Sequence, residues 1–200
     1  MAVDPSDGKE YVSKPEHVYL STDRLKELFA EVPGVLLTDD QYSCLRGENV
    51  RDLLEACGAV RYLRPIQDTT LSWSERSELR VRAGKAESSG QNDRVTDWTL
   101  LGLNSLLDTM PRLESEARPT RARLIWEELA NLEERRGKGV FTGEYTWTHY
   151  GSYRSTFAAA YVRVLNTTAW IPDENGRLQL PEVVLFESLG WKPNPFLQSK

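Results

Sequence analysis

Residues with reactive side chains are scarce in this chain. Of its 200 residues, two are cysteine (Cys44, Cys57) and two are histidine (His17, His149). Four converging donors make a zinc site, and neither cysteine has a close His or Cys companion, so no metal is expected. The cysteines read as reduced, buried thiols of a cytoplasmic protein. No apolar run approaches the roughly 20 residues that cross a bilayer. Met1-Ala2-Val3-Asp4-Pro5 lacks the basic and apolar regions of a signal peptide. A cytoplasmic chain without a membrane partner is the expectation. A phosphate-binding loop is missing too. Gly84-Lys85 and Gly137-Lys138 occur, but Leu79 and Leu132 stand where the first glycine belongs, and Ala86 and Gly139 where the hydroxyl belongs. No cofactor is therefore expected. The net charge of −5 argues against a dedicated nucleic-acid-binding domain. There is no internal repeat and no heptad series.

What remains is a globular composition, 40% apolar and 28% charged. A chain this long buries roughly 70% of its unfolded surface and needs no staple. Six tryptophans and eight tyrosines suggest a core partly built from large rings.

Residues 1–16 read as a flexible tail or linker. A small mixed unit follows over 17–84, with His17–Leu20 extended and a helix capped by Ser21 or Thr22 that buries Leu25, Leu28 and Phe29. Val35-Leu36-Leu37 suits a strand, Asn49 starts a helix, and Val60–Arg64 alternates as an edge strand ending at Pro65. Ser72 or Ser74 opens a helix through Val81. Residues 85–94 are a loop by composition. A larger unit spans 95–200. In it, Thr96 or Asp97 is expected to cap a helix carrying Trp98, Leu101 and Leu107, and a helix follows from Pro119 to Gly137. Glu144–Tyr150 alternates as a strand, and a helix opens at Ser152 or Ser155 and carries Phe157, Tyr161 and Leu165. Trp170-Ile171-Pro172 and Arg177–Leu180 flank an Asn-Gly turn. The expected fold is α+β, helix-dominated, with short antiparallel strands.

Two surfaces stand out as candidates for a partner. Tyr145, Trp147 and His149 share one face of the alternating segment and suit stacking or gripping a partner, or packing on the Phe157 helix, which is the favoured alternative. Arg121, Arg123, Arg135 and Arg136 suit phosphates. Glu127, Glu128, Glu133 and Glu134 nearly balance them, so a salt-bridged solvent face is the plainer reading. Asp93 and Asp97 follow a polar stretch and suit either a site or a helix cap. A cysteine–histidine pair would need activation that nothing local supplies. No catalytic residue is assigned, and the chain is not expected to be an enzyme. A hydrolytic site around Asp93, Asp97 or His149 is the least favoured reading.

Several short motifs then fall in an order of their own: Trp126-Glu127-Glu128-Leu129, a glycine-rich stop, Tyr145-Thr146-Trp147, Thr168-Ala169-Trp170-Ile171-Pro172 with Asn175-Gly176, then Pro181-Glu182 and Phe186. This order resembles regions of large bacterial proteins with a sacsin-like, NO VEIN-like architecture, in which a GHKL ATPase of the heat-shock-chaperone type precedes long further regions. The nucleotide pocket of that family uses a helix with paired Glu and Asn, an Asp-X-Gly-X-Gly turn and a glycine-rich lid, and this chain lacks that set. The resemblance thus implies a segment outside the ATPase domain. It would be a non-catalytic accessory or interaction module binding a protein partner or neighbouring domains of the same chain. A nucleic-acid-binding module of a bacterial defence-type protein is the alternative.

Overall fold

A computed structural model of the protein describes residues 2–38, 48–68, 71–84, 91–148 and 150–184. Helix outweighs strand among these residues, and the strands pair mainly antiparallel, so the fold is α+β.

The first residues are not a free tail. Strands β1 (Ala2–Val3), β2 (Glu10–Tyr11), β3 (Val18–Tyr19) and β4 (Leu36–Thr38) form a sheet in the order β2-β1-β4-β3, and Ala2 is buried in it. Asp4 explains how so polar a stretch is held. Its carboxylate accepts the Ser6 amide and hydroxyl at 2.8 and 2.6 Å and the Gly34 amide at 2.8 Å. This local turn-making is a common use of Asp, here extended to a second segment. Helix α1 (Asp23–Leu28) starts where Thr22 accepts the Leu25 amide, and α2 (Glu48–Ala56) follows. The edge strand expected over 60–64 lies later, at β5 (Pro65–Asp68), and only Val60 makes an isolated bridge, to Tyr19. Proline is tolerated there because β5 is an outer strand. Helix α3 (Trp73–Arg82) opens with a reciprocal capping box between Ser72 and Glu75.

The region from 91 to 109 departs most from the sequence pattern. Of the expected loop 85–94, residues 85–90 lie outside the described residues and 91–94 belong to strand β6 (Gln91–Leu100), while the helix expected from Thr96 or Asp97 begins only at Leu103 as α4 (Leu103–Thr109). Val95, Thr96, Trp98 and Thr99 are strand-forming types. β6 is paired on one side by β5 and on the other by β7 (Thr142–Thr148), which satisfies its backbone. Gly102 makes the corner at φ +75°, and a Cβ there would lie 2.5 Å from Val35 Cγ2, so the position demands glycine.

Helix α5 (Arg118–Arg136) is held at its start by Arg118, whose guanidinium donates to the carbonyls of Pro111, Leu113 and Gly176. It ends at Gly137, as the sequence indicates. The helix expected from Ser152 or Ser155 is preceded by strand β8 (Ser152–Ala158), and α6 (Ala160–Thr167) begins only afterwards. Here a period of two prevails over the period of 3.6. Tyr153, Ser155 and Phe157 stand opposite Trp147, Tyr145 and Gly143 of β7. The Phe157 ring occupies the place of a side chain at Gly143, whose Cβ would lie 2.2 Å from it. Strands β9 (Ile171–Pro172) and β10 (Leu178–Gln179) form the small expected hairpin. Its turn is organised by Asp173, which accepts the amides of Arg177 and Asn175. These bonds, that of Arg177 foremost, hold the Asp173 carboxyl below its ordinary value.

Two apolar clusters form among the described residues. The larger joins Tyr19, Leu25 and Phe29 to Leu103, Leu106, Ile125, Leu129 and Trp170. It draws on both 17–84 and 95–200, so the two stretches share one core. The smaller contains Leu71, Leu79, Val95, Tyr145 and Trp147. Among the described residues, no helix is long and apolar enough to cross a membrane.

Candidate functional site

The four-stranded sheet β5-β6-β7-β8 has two unlike faces. Alternation along β6 sends Asp93, Val95 and Asp97 to the side covered by α3, with Tyr145 and Trp147 beside them. Arg94, Thr96, Glu144, Thr146, Arg154 and Thr156 fall on the other side, half-buried or exposed, where Glu144 pairs with Arg154.

Beneath α3 lies a buried polar knot. Arg80 donates through Nε to the Tyr145 hydroxyl at 2.7 Å and through Nη2 to Asp93 Oδ2 at 2.6 Å, and the same Asp93 oxygen accepts the Tyr145 hydroxyl at 2.7 Å. The Arg80 guanidinium also lies 5.0 Å from the Trp73 ring centroid and 5.6 Å from that of Tyr145, adding cation–π attraction. The Arg80 and Asp93 side chains are only 5% and 11% exposed. Each charge is therefore tolerable only because the other is there. Burial, followed by the bond to Asp93, raises the Tyr145 hydroxyl above its ordinary pKa. Tyr145 and Trp147 stack at 4.8 Å, and Trp147 and Tyr153 at 5.5 Å.

Asp97 anchors a second group. Its Oδ1 accepts the amides of Trp98 and Ala160, each at 2.8 Å, and its Oδ2 accepts Arg163 at 3.1 Å. It caps a helix, as one reading of the sequence held, but that helix is α6, which arrives from far along the chain. Arg163 also reaches Glu75 of α3 at 3.8 Å. Glu75 is held below its ordinary pKa first by the hydrogen bond from the Ser72 hydroxyl. Between α3 and the sheet is a cavity of about 140 Å³, lined by Leu71, Glu75, Glu78, Leu79, Arg82, Phe157 and Arg163. That is smaller than the roughly 300–1,000 Å³ of typical ligand pockets.

These positions bear directly on a hydrolytic site. Asp93 and Asp97 are four residues apart on one strand, about 13 Å, which is beyond the reach of acid–base partners. Glu144 points to the opposite face. His149 lies outside the described residues. Among the described residues, no three His, Cys, Asp or Glu side chains group to hold a metal ion.

The partner-surface candidates separate by burial. Tyr145 and Trp147 are enclosed in the smaller core, so they form no open stacking face. Arg121 is also buried, donating to the Ala30 carbonyl at 3.1 Å, with desolvation lowering its pKa. Their burial follows from α3 closing over the sheet and α1 packing on α5, neither of which is local in sequence. Arg123, Arg135 and Arg136 are exposed. Arg123 lies 3.9 Å from Glu127 one turn on. Glu127 and Glu128 are otherwise taken by Arg24 of α1, at 2.9 and 2.7 Å. Arg135 and Arg136 instead lie on the Tyr62 ring at 5.3 and 5.8 Å, and Arg136 donates to its hydroxyl at 2.9 Å. Cys57, in the turn just after α2, is exposed, contrary to the buried thiol expected, and Cys44 lies outside the described residues.

Sequence reasoning missed Arg80, Arg163 and Tyr62. Arg80 left one faint signal, an arginine next to Leu79 on the inward side of a short helix. No family model, no curated protein and no solved structure matches the chain.

Proposed function

We propose that the chain is a non-catalytic interaction module of a larger, sacsin-like ATPase protein in the cytoplasm, contacting a protein partner or neighbouring domains of its own chain. The observation carrying this reading is where the buried charges are used. Asp93 and Arg80 bind each other and Tyr145, and Asp97 binds a helix end and Arg163. These groups tie α3 and α6 to the sheet instead of converging on a cleft where a substrate would meet them. Catalysis needs positioned groups within reach of one reacting atom, and rigidity of this kind suits a recognition surface. The order of Trp126–Leu129, Trp170-Ile171-Pro172 and Pro181-Glu182 supports the family part of the reading.

The test is turnover. The purified chain is incubated with ATP and with phosphodiester and ester substrates, beside the Asp93→Ala and Asp97→Ala variants. No turnover above blank is expected, and the variants should differ from the parent only in stability. Turnover that either variant abolishes while its circular dichroism is unchanged would refute the reading. Added to the ATPase domain of its own protein, the chain should bind and change the rate of ATP hydrolysis.

A second reading, a nucleic-acid-binding module, is favoured by one observation: Arg135 and Arg136 make no ion pair among the described residues.

A further inference from the structure

None of the α5 glutamates that balance its arginines in sequence pairs with Arg135 or Arg136 in space among the described residues. Glu127 and Glu128 are drawn to Arg24, on the α1 side. Burial first, and the charge of Glu133 after it, raise the pKa of the Tyr161 hydroxyl. Neither Glu133 nor Glu134 pairs with an arginine among the described residues. Meanwhile Tyr62 brings a second basic segment, Arg61-Tyr62-Leu63-Arg64, against the end of α5, through its contacts with Arg135 and Arg136. Arg61 pairs with the exposed Glu55, and the half-buried Arg64 donates to the Gly58 carbonyl and has no carboxylate partner among the described residues. The negative end of the α5 dipole lowers the cost of gathering these cations. A chain of net charge −5 thus gathers four guanidiniums about one helix end, of which only that of Arg61 is ion-paired among the described residues.

We infer that the C-terminal end of α5 together with residues 61–64 is a docking surface for the phosphate backbone of nucleic acid, with Arg61, Arg64, Arg135 and Arg136 as the phosphate contacts. This rests on the second reading above. The occupant follows from chemistry. The four guanidiniums are spread along a helix end and a neighbouring segment, which matches a repeating polyanion better than a single phosphate group. Guanidinium forks suit phosphate oxygens. Tyr62 lies under two guanidiniums, one of them bonded to its hydroxyl, so it orients the arginines and does not stack on a base. Recognition is then independent of sequence, and a duplex, with its denser charge, binds at least as well as a single strand.

The experiment is fluorescence anisotropy with a labelled DNA duplex of about 20 base pairs. With about four phosphates neutralised, affinity should fall about 150-fold between roughly 50 and 200 mM salt. Arg135→Gln with Arg136→Gln should halve the logarithmic salt slope. Arg123→Gln with Arg154→Gln, an equal charge change elsewhere, should leave it unaltered, and the lysine variants at 135 and 136 should keep binding. Thermal melting establishes that each variant is folded. If the parent binds no duplex even at the lowest salt, the second reading itself fails. If the parent binds but the glutamine pair at 135 and 136 behaves like the control pair, nucleic-acid binding stands and this surface is wrong. If polyglutamate at equal charge competes as well as DNA, the partner is an acidic peptide and the proposal falls.

Discussion

Replacing Asp97 with alanine removes one carboxylate and three bonds at once. The Ala160 amide loses its acceptor at the start of α6, the Trp98 amide loses a local one, and Arg163 loses its shorter carboxylate contact. A lost helix cap costs about 1 kcal/mol. The Arg163 contact adds roughly 0.5–1 kcal/mol, discounted because the Arg163 side chain is 38% exposed and keeps Glu75 nearby. The half-buried Trp98 amide adds up to about 1 kcal/mol. The sum is about 2–3 kcal/mol, or a fall of about 5–10 °C in melting temperature for a domain of this size. Asp97→Asn keeps an acceptor for Ala160 and should lose about half as much. Urea unfolding followed by circular dichroism measures both. A loss below about 0.5 kcal/mol for alanine, or an asparagine variant no better than alanine, would show that Asp97 does not hold α6.

Three further outcomes are expected. Arg80→Met should cost about 3–5 kcal/mol because it strands the Asp93 carboxylate, whereas Arg80→Met with Asp93→Leu should cost less than the two singles combined. Additive unfolding energies in that cycle would remove the coupling. Gly143→Ala should destabilise by about 1–3 kcal/mol, since the new methyl enters the Phe157 ring, and Phe157→Leu in the same chain should recover part of it. A Gly143→Ala variant as stable as the parent would contradict the close approach. Stability should also decline in alkali. Burial raises the hydroxyl pKa of Tyr19, Tyr145 and Tyr161 in the folded chain. Their contribution is therefore complete below the unfolded value near pH 10 and is lost as pH climbs through the folded values. Urea midpoints at about pH 8, 10 and 11 that stay level would refute this, as would tyrosinate absorbance appearing for all eight tyrosines before the fold is lost.

Local signals were legible wherever the physics is local. The capping of α1 by Thr22 and of α3 by Ser72, the stop of α5 at Gly137, the alternation of β7 and the Asn-Gly hairpin each depend on residues within a few positions of one another. Where one stretch fits two periods, the sequence alone misleads. Residues 96–107 carry enough leucine to look helical, yet the first part pairs on both sides as β6. Residues 152–158 look continuous with the following helix because Phe157 and Tyr161 are four apart. The candidate surfaces failed for a related reason. Tyr145, Trp147 and Arg121 have the chemistry of a contact face, and burial alone distinguishes a contact face from a core.

The amino-acid order on its own determined the class of fold, most helix ends and the shortage of metal-binding and phosphate-binding motifs, because each follows from composition or from neighbours along the chain. Only the tertiary structure decided how charges are matched. Arg80 meets Asp93, Arg24 takes Glu127 and Glu128, Asp97 caps α6, and Tyr62 gathers Arg135 and Arg136. Coulomb and hydrogen-bond energies fall off over a few ångströms of space and take no account of separation along the chain.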